Sequence, residues 1–78
     1  MATRQLELTN KWVQLTTGKE EVLLQVMSSD GVFVFDSMTR PEDKAVGYFI
    51  APLGSCRITP PTAAWIRAKH RNAMVVYS

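Results

Sequence analysis

The stretch Val22 to Asp36 reads VLLQVMSSDGVFVFD, two apolar runs joined by small, turn-prone residues. Alternate residues of an extended chain point to opposite faces, and valine, leucine and phenylalanine suit a pleated, half-buried surface. The joint Ser28-Ser29-Asp30-Gly31 holds the residue types of a tight turn. The stretch therefore predicts a β-hairpin, with Asp30-Gly31 or Ser28 to Gly31 as its loop. Both loops are even in length, so both give the same facing. Val22, Leu24, Val26, Phe33 and Phe35 share one face; Leu23, Gln25, Met27, Val32, Val34 and Asp36 share the other. The first is a core face. The second is mostly apolar as well, where a solvated antiparallel strand reads polar. It requires cover, from a second sheet of the same chain or from another copy.

On the N-terminal side, Gln5 to Thr9 alternates as a short strand with Leu6 and Leu8 inward, Asn10-Lys11 turns, and Trp12 to Leu15 is apolar again. Thr16 to Glu20 is a polar turn leading into the central stretch. On the C-terminal side, Ser37 to Lys44 (SMTRPEDK) is the longest polar interval, an exposed loop in which Pro41 blocks regular pairing. Gly47 to Leu53 reads as a strand ending at Pro52, Gly54-Ser55 as a turn, and Cys56 to Thr59 as a strand with Arg57 outward. Pro60-Pro61 is expected to be a stiff extended step. Ala64 to Ala68 sets Trp65 and Arg67 against Ala64, Ile66 and Ala68, Lys69 to Asn72 is a polar turn, and Ala73 to Tyr77 is a β-branched strand. The last two predict a second hairpin. About seven short strands with Gly and Pro punctuation make the chain all-β, a small antiparallel sandwich or barrel in one domain over residues 1–78.

Seventy-eight residues, 46% of them hydrophobic and 21% charged, fit one thin-cored globular domain. Cys56 is the only cysteine, so no disulfide or cysteine metal framework forms within the chain. Stability must come from packing or from assembly. A net charge of +2 falls short of the dense positive stripe of a dedicated nucleic-acid binder. Residues 1–10 lack a secretory apolar segment, and no run is long enough to span a bilayer, so a soluble product of the cytoplasm is expected.

No catalytic, cofactor or metal site emerges. His70 is the only histidine and has no nucleophile partner in sequence, whereas zinc takes three or four ligands. The carboxylate pairs Glu20-Glu21 and Glu42-Asp43 are adjacent in extended chain and point apart. The glycines are scattered rather than gathered in a phosphate loop. The expectation is a chain that is not an enzyme and binds no cofactor. Arg67, Lys69, His70 and Arg71, with Trp65 and Tyr77 nearby, form the strongest nucleic-acid signal, since cations and aromatics on a small β scaffold suit single strands. The patch is small, so nucleic acid is the competing rather than the leading partner. Tyr48 and Phe49 are neighbours in a strand, so one of them faces away from the core as an interface aromatic does.

The order of features, Trp12-x-x-Leu15 before a glycine turn, a hairpin carrying Gln25 and ending in Pro41, Gly47 with apolar residues leading to Gly54, then Trp65-x-Arg67-Ala68 and a terminal Val75-Val76, resembles short β-sandwich virion proteins of tailed bacteriophages. The resemblance covers about Lys11 to Tyr77; Pro60-Pro61 and Cys56 stand outside it. It implies a non-enzymatic component of the virion, made in the host cytoplasm: a capsid cement or decoration protein, a head-fibre base or a tail component. Such a protein works as a homo-oligomer, with a trimer favoured, docked on a major capsid or tail protein and without a membrane. On that reading Leu23, Gln25, Met27, Val32, Val34, Tyr48 and Phe49 form the oligomer interface. Asp36, Arg40, Glu42, Lys44, Arg67, Lys69, His70 and Arg71 contact the partner. The alternatives are a small nucleic-acid-binding β-barrel, or a phage-encoded adaptor or inhibitor of a host protein.

Overall fold

A computed structural model describes residues 2–78 and places the chain in eight strands: β1 (Arg4–Leu8), β2 (Val13–Gln14), β3 (Val22–Val26), β4 (Val32–Asp36), β5 (Tyr48–Ile50), β6 (Ser55–Ile58), β7 (Ala64–Ala68) and β8 (Ala73–Tyr77). They form two antiparallel sheets of four, ordered β1-β8-β3-β6 and β2-β7-β4-β5. The fold is the small all-β sandwich that the strand spacing predicts.

The connections differ from that expectation. β3 pairs with β6 and β8, whereas β4 pairs with β5 and β7, so the central stretch is not a hairpin. Met27 to Gly31 is an arch that carries the chain from one sheet to the other, a gap of about 10 Å between packed sheets. Val22, Leu24 and Val26 then face Val32 and Val34 across the interior, and all five are buried. A hairpin would have put these two groups on opposite faces, leaving one set of β-branched side chains against solvent. The arch buries both. Val32 and Val34, expected at an interface between copies, are core residues for this reason. The C-terminal strands repeat the arrangement: β7 and β8 lie in different sheets, joined by an arch over Lys69 to Asn72 rather than by a hairpin turn. Only β4 and β5 follow each other within one sheet; the other six connections cross between sheets.

The core lies between the sheets. Leu8, Leu24, Val26 and Val75 from the first sheet meet Val32, Ile66, Ala64 and Ala68 from the second. The two arches run side by side, because β3 neighbours β8 in one sheet and β4 neighbours β7 in the other. Their backbones are joined by the Lys69 amide donating to the Gly31 carbonyl at 3.0 Å and the Met27 amide donating to the Met74 carbonyl at 2.8 Å. At the other end of β7, the buried hydroxyl of Thr16 accepts from the Ala64 amide and donates to the Thr62 carbonyl, both at 2.9 Å. The Pro60-Pro61 bond, expected as an extended step, is cis.

Gly47 positions β5. A β-carbon there would lie 2.1 Å from the carbonyl oxygen of Val34, so the backbone approaches β4 at a distance open only to glycine. Gly47→Ala is expected to cost about 2 kcal/mol or more, because rigid backbone must move. Urea unfolding checks it, and a loss under 0.5 kcal/mol, the usual range for neutral surface changes, would show that the approach is not tight.

Candidate assembly surfaces

The outer face of the second sheet carries an aromatic layer. Phe33 and Phe35 of β4, Trp65 and Arg67 of β7 and Phe49 of β5 alternate with the inward residues of their strands, and Trp12 enters just before β2. Trp12 and Phe35 meet edge to face with ring centroids 5.8 Å apart, and Phe33 and Phe49 do so at 5.9 Å. Arg67 lies between them, its guanidinium carbon 5.1 Å from the Trp12 ring centroid and 4.8 Å from that of Phe33. Such stacking suits a planar, weakly hydrated cation.

The segment from Ser37 to Val46 covers this layer. It presents carbonyls to three polar atoms that the aromatic face would otherwise bury unpaired. Trp65 Nε1 donates to the Ser37 carbonyl at 3.0 Å, Trp12 Nε1 to that of Glu42 at 2.8 Å, and an Arg67 terminal nitrogen to that of Ala45 at 3.2 Å. Pro41 is buried within the segment. The loop expected to be a free, exposed contact surface is thus a lid on a second small core. Its polar side chains still point outward: Arg40, Glu42 and Lys44 are exposed, with Asp43 bridging Lys11 at 3.5 Å and Arg40 at 3.6 Å. Asp36, at its start, accepts from the Ala63 amide at 3.0 Å.

Arg67, expected to reach a partner, retains only 8% of its surface exposed and spends its donors internally. The reason is the strand period: Arg67 falls on the same side of β7 as Trp65 and under the same lid. Lys69, His70 and Arg71 remain exposed on the arch, so the basic tip is three residues without a free aromatic platform. Lys69 sits over Phe49 at 4.8 Å, and Trp65 is tied to the lid.

His70 is engaged through Asp30. The backbone amide of His70 donates to Asp30 Oδ2 at 3.1 Å and its Nδ1 lies 2.8 Å from Oδ1, so the carboxylate fastens one arch to the other. Partial burial pushes the Asp30 carboxyl up, but the hydrogen bonds from the ring and backbone of His70, with the charge on that ring, outweigh it and hold the group below the ordinary aspartate range. On β6, burial pushes the Cys56 thiol up, which suits a packed side chain rather than a nucleophile. Among the described residues no three of His, Cys, Asp and Glu gather as metal ligands would.

Among the described residues, two apolar surfaces remain without cover. On the outer face of the first sheet, Leu23 is 47% exposed and Met27 43%, beside the half-buried Met74 and Val76 of β8, with Gln25 among them. At the edge of the second sheet, β5 presents Tyr48 at 82% and Phe49 at 49% exposure. Val46, Gly47 and Tyr48 border a groove of about 400 Å³ with Val34, Phe35 and Asp36. The structure thus separates the residues expected to form a single interface: Leu23, Gln25 and Met27 lie on one sheet's face, Tyr48 and Phe49 at the other sheet's edge. Comparison with family models, with curated proteins and with solved structures finds no match for the chain.

Two measurements test the two polar anchors. Arg67→Met removes one of the lid's three carbonyl contacts and leaves Ala45 facing an apolar side chain, with an expected loss of about 2 kcal/mol and a red-shifted tryptophan emission as Trp12 and Trp65 become wetter. Unchanged stability and emission would mean that the lid is held without the guanidinium. Because the carboxyl of Asp30 binds its proton less readily in the folded chain than in the unfolded one, its contribution is fully present above about pH 4 and is lost as pH falls through the depressed folded value. Asp30→Asn should flatten the acid limb of stability against pH, and an acid limb as steep as that of the parent chain would assign it to other carboxylates.

Proposed function

We propose that the chain is a non-enzymatic structural protein of a bacteriophage particle, working by assembly with copies of itself and by docking on a capsid or tail protein. The observation that carries this reading is the unequal covering of the two sheets. One outer face is closed by the chain's own lid, through three donors matched to three carbonyls. On the other, Leu23 and Met27 stay about half exposed with no segment of the described residues over them. A chain this short folds its own loop back over the aromatic face and still leaves an apolar face and an apolar edge, as an interaction module does. The resemblance of Trp12-x-x-Leu15, Trp65-x-Arg67-Ala68 and Val75-Val76 to small virion sandwiches supports the same reading. Its mechanism is burial of apolar area across repeated contacts, which raises particle stability by mass action and multivalency.

Light scattering on the purified chain from micromolar to millimolar concentration is expected to give a multiple of 8.8 kDa. Particles banded on a density gradient from a lysed source culture are expected to hold the chain at a fixed ratio to their major protein. A mass of 8.8 kDa throughout, together with salt-sensitive binding of oligonucleotides, would instead assign the chain to nucleic acid through Lys69 and Arg71.

A further inference from the structure

A sheet edge exposes a row of unpaired backbone donors and acceptors, and monomeric proteins blunt such edges with charge, proline or brevity. The four edges of this sandwich are treated unequally. β1 carries Arg4 and Glu7, β6 carries Arg57 paired with Glu21, and β2 is only two residues long. β5 has none of these charges. From Ala45 to Cys56 the sequence AVGYFIAPLGSC contains no charged residue, and Pro52 lies beyond the strand. Apart from the pairing with β4, no backbone hydrogen bond engages Tyr48 to Ile50 among the described residues.

We propose that β5 pairs antiparallel with β5 of a second copy about a two-fold axis, joining the two β2-β7-β4-β5 sheets into one continuous sheet of eight strands. This rests on the assembly reading and names its self-contact. The charge pattern selects a second copy as the occupant. In a two-fold antiparallel pairing the central residue meets its own counterpart and its neighbours meet each other, so a charge at the centre would face a like charge. The uncharged run from Ala45 to Cys56 is what homotypic pairing needs, whereas capture of a charged peptide would leave its charges unanswered. Lys69 lies over the ring of Phe49, on the sheet face rather than in the edge. The area sets the strength. Val46 at 70%, Tyr48, Phe49 and Leu53 together expose on the order of 450 Å² per copy, using ~150–250 Å² for a whole aromatic side chain, so a pair buries at most about 900 Å², the size of a weak, concentration-dependent contact. Antiparallel pairing about an axis near Phe49 sets Tyr48 of each copy beside Ile50 of the other, an aromatic against a β-branched side chain.

The test compares three forms of the full chain by sedimentation equilibrium: the parent, Tyr48→Lys, and Leu23→Lys on the open face of the first sheet. Both substituted positions are exposed, and circular dichroism with thermal unfolding checks that each variant folds; Val46→Asp serves as a second edge variant should Tyr48→Lys fail to fold. The expected result is a self-associating parent whose dissociation constant rises by about tenfold or more in Tyr48→Lys and is unchanged in Leu23→Lys. A parent that associates equally in Tyr48→Lys, or that is dissociated by Leu23→Lys instead, overturns edge pairing and leaves the assembly reading standing. A parent that remains a monomer overturns both.

Discussion

The burial of one guanidinium organises half of this molecule. Arg67 cannot leave water without stacking partners and acceptors, since an uncompensated buried charge costs several kcal/mol. Trp12 and Phe33 supply the stacking from β1–β2 and from β4, and Ala68 and Ala45 supply carbonyls from β7 itself and from the lid. Three parts of the chain far from β7 in sequence are thereby held to one side chain. The Nε atom of Arg67 is buried with no protein partner, so the site is satisfied by stacking and two carbonyls rather than by a complete set of hydrogen bonds. That arrangement tolerates neither lysine, which lacks the planar fork, nor a neutral side chain that leaves the lid's carbonyl unmatched.

The connections follow from the same scarcity of chain. A sandwich of 78 residues has little length for loops, and arches spend it on crossing the core rather than on turning within a sheet. Each sheet is therefore built from strands distant in sequence, with β1 paired to β8 so that Arg4 stands opposite Tyr77. Pairings of this separation make folding slow relative to local hairpins. They also make the arches interdependent, and Asp30 acts where they meet: a carboxylate on the first arch satisfies a backbone amide and a ring nitrogen of the second. Its side chain stays mostly shielded while that of His70 remains open to solvent.

Much of the fold was legible in the sequence, and the part that was not has a definite physical cause. Period-two alternation reads directly as Leu6 and Leu8 inward on β1, Val22, Leu24 and Val26 inward on β3, and Arg57 outward on β6, all as observed. Alternation reports which residues of one strand share a face, but not whether the next turn leads to a neighbour in the sheet or across the core. Asp30-Gly31 has the composition of a hairpin turn and serves in an arch, so Phe33 and Phe35 exchanged places with Val32 and Val34. The signal that decides between the two lay in the second face: a strand apolar on both sides must be covered on both, and an arch with a lid does this where a hairpin does not. Arg67 was misplaced by proximity to Lys69, His70 and Arg71, although its parity with Trp65 already set it under the aromatic layer. Leu23, Gln25, Met27, Tyr48 and Phe49 do stand at the surface, but on two surfaces rather than one.

Having two such surfaces bears on how they work together. Edge pairing uses backbone groups and fixes orientation, whereas a mixed face such as Leu23, Met74 and Val76 among Gln5, Glu7 and Gln25 binds by side-chain packing and selects for shape. The local two-fold of an antiparallel strand pair runs perpendicular to its sheet. A dimer formed through β5 therefore keeps both copies of the β1-β8-β3-β6 sheet on the same side, and its two open faces lie in one platform. One self-contact thus doubles the area offered in a single direction, and weak docking through each face becomes strong docking through both when a second surface repeats at the matching spacing. The regular surface of a particle offers such spacing, which a single soluble partner does not.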